Sequence, residues 1–114
     1  ENLFIIGRKD TTVKISGYRV DLCEIEFAAT NYSNIQLAVV FVKKIDEIIE
    51  ELWIVLELKV NTVKFDIFNF KQYLRKNLPP YMIPKRVHVM DKMFLNSNGK
   101  IDRKKVISQT EKNE

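Results

Sequence analysis

The chain has 114 residues, 46% hydrophobic and 30% charged, with a net charge of +4. That is enough to close one small apolar core and leaves little for a second domain or a low-complexity tract. No run approaches the roughly 18 apolar residues of a membrane span, and no basic-then-apolar signal sequence is read at its start. A single cysteine, Cys23, cannot form an internal disulfide and fits a reducing cytoplasm; with one histidine, His88, it cannot assemble a zinc site.

Leu3-Phe4-Ile5-Ile6 is a short apolar strand candidate ended by Gly7. Thr12-Val13-Lys14-Ile15 alternates, and Tyr18-Arg19-Val20 can return antiparallel to it through a Ser16-Gly17 turn. Asp21 has the character of a helix N-cap, with Glu24 completing a capping box, and Leu22, Ile25 and Ala29 mark one face of the helix to about Thr30. Residues 35–42 form a nearly continuous apolar run, as in a strand covered on both faces. After a charged connection over 43–50, a second long strand is predicted over 52–60, with Glu57 and Lys59 leaving one side partly wet. Asp66 is a second candidate N-cap. Ile67, Phe70, Leu74 and Leu78 repeat at helical spacing until Pro79-Pro80 ends the helix. Residues 86–90 read as a third strand, 96–99 as a turn, and Asp102 as the cap of a short last helix. The order predicts an α+β fold: a small antiparallel sheet of about three strands packed with helices, plus an N-terminal two-stranded hairpin, all within one domain, 1–114.

The scaffold offers little conventional chemistry. His88 alternates with Val87 and Val89 on a strand, and Cys23 sits in the first turn of a helix with no histidine beside it, so packing is expected of both. No Gly-rich loop has phosphate-loop spacing. Phe65, Phe68, Phe70 and Tyr73 lie on and beside an amphipathic helix, where core packing or a docking face is expected. Lys100, Arg103, Lys104 and Lys105 form a basic cluster whose ligand is either nucleic acid or a small anion such as a nucleotide, if it is not simply a solvated surface.

Two stretches carry more special residues than a scaffold needs. One runs from Gly7-Arg8-Lys9-Asp10 through Val13-Lys14-Ile15-Ser16-Gly17-Tyr18-Arg19 to Glu24-Ile25-Glu26. The other is Asn98-Gly99-Lys100-Ile101-Asp102-Arg103, and Leu78-Pro79-Pro80-Tyr81-Met82-Ile83-Pro84 lies between them. In order and spacing they resemble the last domain of the adenylate-forming superfamily, which includes acyl-CoA synthetases, luciferases and amino-acid adenylation domains. Tyr81-Met82-Ile83-Pro84 with the second motif is more similar to the amino-acid-activating branch, including D-alanine–carrier protein ligases, than to the acyl-CoA synthetases.

The resemblance implies an ATP-dependent ligase that activates a carboxylate as acyl-AMP and passes it to a phosphopantetheine thiol on a carrier protein. It implies Lys100 as the catalytic cation and a nucleotide contact, Gly7 and Arg8 as nucleotide-binding, Asp10 as the hinge, and Gly17 and Arg19 as lining the pantetheine tunnel in the thioester-forming state. ATP and magnesium would be held mainly by a large N-terminal AMP-binding domain of the same chain, so these residues are expected to be part of a longer protein and inactive alone. An acyl-CoA synthetase domain, a small basic nucleic-acid-binding module and a free-standing carrier-docking domain are the alternatives; on the leading reading no nucleic-acid partner and no membrane partner is expected.

Overall fold

A computed structural model describes residues 12–112. Strands β1 (Thr12–Ile15) and β2 (Tyr18–Asp21) form a two-stranded hairpin. They are followed by α1 (Leu22–Thr30), β3 (Ile35–Lys44), β4 (Glu50–Leu58), α2 (Ile67–Asn77), a 3-10 turn (Pro80–Met82), β5 (Arg86–Met90) and α3 (Arg103–Lys112). The second sheet has the order β3-β4-β5.

The expected α+β architecture is present, with one difference in the sheet. β4 pairs antiparallel with β3, but β5 joins parallel to β4. A strand that returns after a helix has crossed the sheet can run in the same direction as its neighbour, and α2 supplies that crossover. The sheet is therefore mixed rather than antiparallel.

The ladder between β3 and β4 also reaches further than the apolar runs. Lys43 lies opposite Glu51 and Lys44 opposite Glu50, so residues read as a charged connection extend the hairpin through cross-strand pairs of opposite charge. At the other end β4 stops at Leu58; Asn61 takes a positive φ of 71° and Val60 is 84% exposed, so Val60 faces water and not the core.

Both faces of the sheet are buried. On one, Ala38, Val40, Leu52, Ile54 and Leu56 pack against Ile25 and Ala29 of α1, Phe70 and Leu74 of α2, and Ile15 and Val20 of the hairpin. On the other, Val39, Phe41, Trp53 and Val55 pack with Met93 and with Val106 of α3. Trp53 and Val55 are nearly inaccessible, so the side of β4 expected to be partly wet is dry except toward its end. His88 on β5 lies 5.1 Å from the Trp53 ring, which accounts for a histidine on a strand. Cys23, by contrast, is exposed on α1 and does not pack.

Side-chain caps set the helix starts. Asp21 accepts from the Cys23 N–H at 3.0 Å, Asp66 from Asn69 N–H at 3.2 Å, and Asp102 from Lys105 N–H at 3.2 Å. α2 ends as Leu78 turns to extended backbone, φ −134°, ahead of Pro79.

Candidate functional site: two motif-bearing turns

The first motif folds as the β1–β2 hairpin and the start of α1. Ser16 and Gly17 form its two-residue turn with φ of 51° and 85°, the double positive-φ geometry that matches the strand twist. A Cβ added to Gly17 would meet nothing within 4 Å, so backbone conformation is what calls for glycine in this domain. Side chains alternate across the ribbon. Val13, Ile15, Tyr18 and Val20 share the face toward the core, while Lys14 and Arg19, directly opposite each other in register, are exposed on the outer face. Two like charges at paired positions disfavour the hairpin and attract an anion.

The second motif is a tight loop between Leu95 and Ile101, which form an isolated antiparallel bridge. Asn96 organises it: its Oδ1 accepts from the N–H groups of Asn98 at 2.8 Å and Lys100 at 3.1 Å, and its own N–H donates to the Lys100 carbonyl at 2.7 Å. Gly99 closes the turn at φ 80°. Lys100 stands exposed at its end, its ammonium without a hydrogen-bond or ion-pair partner among the described residues.

The basic cluster around it is divided. Arg103 is paired with Glu26, and Lys105 Nζ lies over the Phe94 ring at 5.0 Å, leaving Lys100 and Lys104 facing solvent. Among the described residues no group of acidic, histidine or cysteine side chains could hold a metal ion, and no helix is long and apolar enough to cross a membrane.

The two motifs meet through Glu26. Its carboxylate accepts from the Val40 N–H at 2.7 Å, satisfying a donor on the outer edge of β3, and binds the Arg103 guanidinium through both oxygens, the Nη1 to Oε1 contact being 3.4 Å. Burial raises the Glu26 pKa above its ordinary value, while Arg103 and the Val40 N–H partly oppose that rise. Arg103 opens α3 directly after the Lys100 loop, so the pair ties that loop to α1 and the sheet edge.

Of the residues singled out from sequence, Lys100 and Gly17 are on exposed turns, and Arg19 is exposed on β2 of the same hairpin as Gly17. Gly7, Arg8 and Asp10 lie outside the described residues, as does the strand expected over 3–6. The sequence alone gives no role to Glu26 or Asn96 and places Arg103 only in the basic cluster. Glu26 and Arg103 stand inside the motifs, which was the available signal.

No family model matches the chain. Individual proteins do. The chain is 40% identical over 105 residues to gramicidin S synthase 2 of Brevibacillus brevis, covering 90% of this chain and 2% of that protein. It is 38% identical over 105 residues to a D-alanine–D-alanyl carrier protein ligase of Staphylococcus aureus, covering 90% and 22%. Among solved structures, a four-domain nonribosomal peptide synthetase bound to AMP and glycine superposes with a TM-score of 0.72 at 35% identity, covering 86% of this chain and 7% of that one. NpsA of Klebsiella oxytoca shares the fold at a TM-score of 0.80 and 20% identity, over 91% and 20%.

In sequence and in fold the chain matches a C-terminal domain of the adenylate-forming superfamily. Its curated relatives include synthases and ligases, and it spans between 2% and 22% of the length of those described here.

Proposed function

We propose that the chain serves as the moving lobe of an ATP-dependent ligase that activates an amino acid as its adenylate and transfers it to the phosphopantetheine thiol of a carrier protein. The observation that carries this reading is the exposed Lys100, unpaired among the described residues, held on a turn shaped by Asn96 and Gly99 and anchored to the domain by the Arg103–Glu26 pair. A carboxylate attacking the α-phosphate of ATP brings anion to polyanion. A cation placed between them offsets the charge that develops, an effect of about 3–4 kcal/mol per well-placed group in a dry site. Lysine suits the task because its charge is compact and its stem flexible.

Transfer to the thiol needs a different surface at the same adenylate. Rotation of the lobe about Asp10 withdraws Lys100 and brings up the hairpin, where Gly17 allows close approach of the pantetheine arm and Arg19 meets a phosphate. Gly7 and Arg8 contact the nucleotide. Closure of either kind also keeps water from the labile adenylate. The large domain of the same polypeptide holds ATP, and magnesium would neutralise its phosphates there. The acceptor thiol must stay reduced, which places the reaction in the cytoplasm. The carrier-protein acceptor is favoured over coenzyme A by the 38% identity to a carrier protein ligase.

The test is amino-acid-dependent ATP–pyrophosphate exchange and thioester formation by the full polypeptide that carries this lobe. Absence of both with the full set of proteinogenic amino acids and D-alanine rejects the amino-acid reading. Asp10→Pro, which fixes φ, is expected to slow thioester formation more than exchange; equal loss of both removes the hinge assignment.

A further inference from the structure

The β1–β2 hairpin has structural reasons to move and one feature that holds its tip. A two-stranded ribbon is marginal by itself. This one adds a non-glycine residue in the left-handed region, Ser16 at φ 51°, and the Lys14–Arg19 pair of like charges on its outer face. Ile15 and Val20 bury its base in the core. Beside the turn, Tyr18 stacks on Tyr81, ring centroids 4.2 Å apart and planes within 10°.

Tyr81 has a firm mount. It lies in the 3-10 turn Pro80–Met82, flanked by Pro79-Pro80 with fixed φ and by Met82, which is buried against the main core. Tyr18 is 52% exposed and Tyr81 38%, so this stack is a surface contact whose geometry, more than its burial, gives it value.

We propose that Tyr81 is a positioning residue for the thiol-transfer step: its stack on Tyr18 fixes the hairpin tip and thereby aims Gly17 and the paired cations Lys14 and Arg19 at the phosphopantetheine phosphate. The inference rests on the functional reading above and adds Tyr81 and Lys14 to it. Because Tyr18 and Arg19 are adjacent on one strand, anchoring the inner-face ring sets the direction of the outer-face guanidinium. The cost of holding two cations opposite each other is repaid when an anion arrives between them.

The experiment uses the full polypeptide with Tyr81→Ala and Tyr81→Phe, reading exchange, thioester formation on the phosphopantetheinylated carrier, and amide hydrogen exchange over residues 12–21. Tyr81→Ala is expected to speed amide exchange in the hairpin and lower kcat/KM for the carrier about three- to tenfold, the range of one aromatic pair, with pyrophosphate exchange unchanged. Tyr81→Phe keeps a ring for stacking and is expected to stay within about twofold of wild type. Unchanged hairpin amide exchange in Tyr81→Ala, or equal loss in both half-reactions, overturns the inference. So does wild-type thioester transfer by a variant whose hairpin has loosened. A wild-type enzyme that exchanges pyrophosphate but loads no carrier rejects the acceptor assignment, and the transfer role falls with it, whatever the hairpin does. Lys14→Gln adds a separate check: a raised KM for the carrier with kcat kept is expected, and an unchanged KM removes Lys14 from the site.

Discussion

At the scale of single residues, Glu26 is pulled two ways. Burial drives its carboxyl toward the neutral form, and Arg103 with the Val40 N–H draws it back toward the ionised one. Burial wins, so the folded protein holds the Glu26 proton to higher pH than the unfolded chain does. Its contribution to stability is therefore complete below the ordinary value of 4.5 and declines as pH rises through the raised folded value. Arg103 limits that decline. Replacing Arg103 by Met should cost about 1–3 kcal/mol at pH 7, the penalty of stripping a partner from a mostly buried carboxylate, and less at pH 4, where Glu26 is protonated. Urea unfolding followed by Trp53, the only tryptophan, reads both conditions; equal losses at the two pH values would show that charge compensation is not what Arg103 supplies. Such a pair was not legible in the sequence. Glu26 and Arg103 are separated by most of the chain, and only the packing of α3 beside α1 and β3 decides that they meet. The placement of Gly17 in the hairpin turn, of Arg19 beside it on β2 and of Lys100 at the end of the Asn96 loop was legible because those segments are shaped by their own neighbours.

At the scale of elements, capping and turn chemistry carried most of the boundaries. Asp21, Asp66 and Asp102 each accept a bond from the first turn of the helix they were expected to start. Asp66→Ala should cost about 1 kcal/mol, measured as a lowered urea midpoint; no change would mean that the Asn69 N–H finds another acceptor. Gly17→Ala should cost about 1–2 kcal/mol from the left-handed backbone alone, since the added methyl has open space. A much larger loss would reveal a steric role within the domain. Direction was harder to read. The parallel entry of β5 depends on α2 crossing the sheet, and a strand run of five residues carries no mark of which way its neighbour points. The long β3–β4 hairpin was likewise underestimated, because Lys43, Lys44, Glu50 and Glu51 look like loop residues until they are set opposite one another.

At the scale of the whole molecule, the β3–β4 pair is a partition between two apolar clusters. The larger one seats the hairpin, α1 and α2; the smaller one seats α3, which begins directly after the Lys100 loop. The two motif-bearing turns are thus anchored through opposite sides of one sheet and joined at its edge by Glu26 and Arg103. Leu74→Ala, in the larger cluster, should cost about 2–5 kcal/mol. Combined with Val106→Ala in the smaller cluster, the losses should add to within about 0.5 kcal/mol; strong coupling would mean that the sheet transmits repacking from face to face. The function proposed above uses this arrangement, with a cation on one turn and a hairpin on another of the same domain.

The central claim is that Lys100 serves the first half-reaction and leaves the second to the hairpin. The direct measurement is Lys100→Ala in the full polypeptide, with pyrophosphate exchange set beside the conversion of supplied adenylate to thioester. Exchange is expected to fall at least about a hundredfold while conversion of the adenylate persists. Exchange that survives intact, or two half-reactions that fall together, would contradict the account.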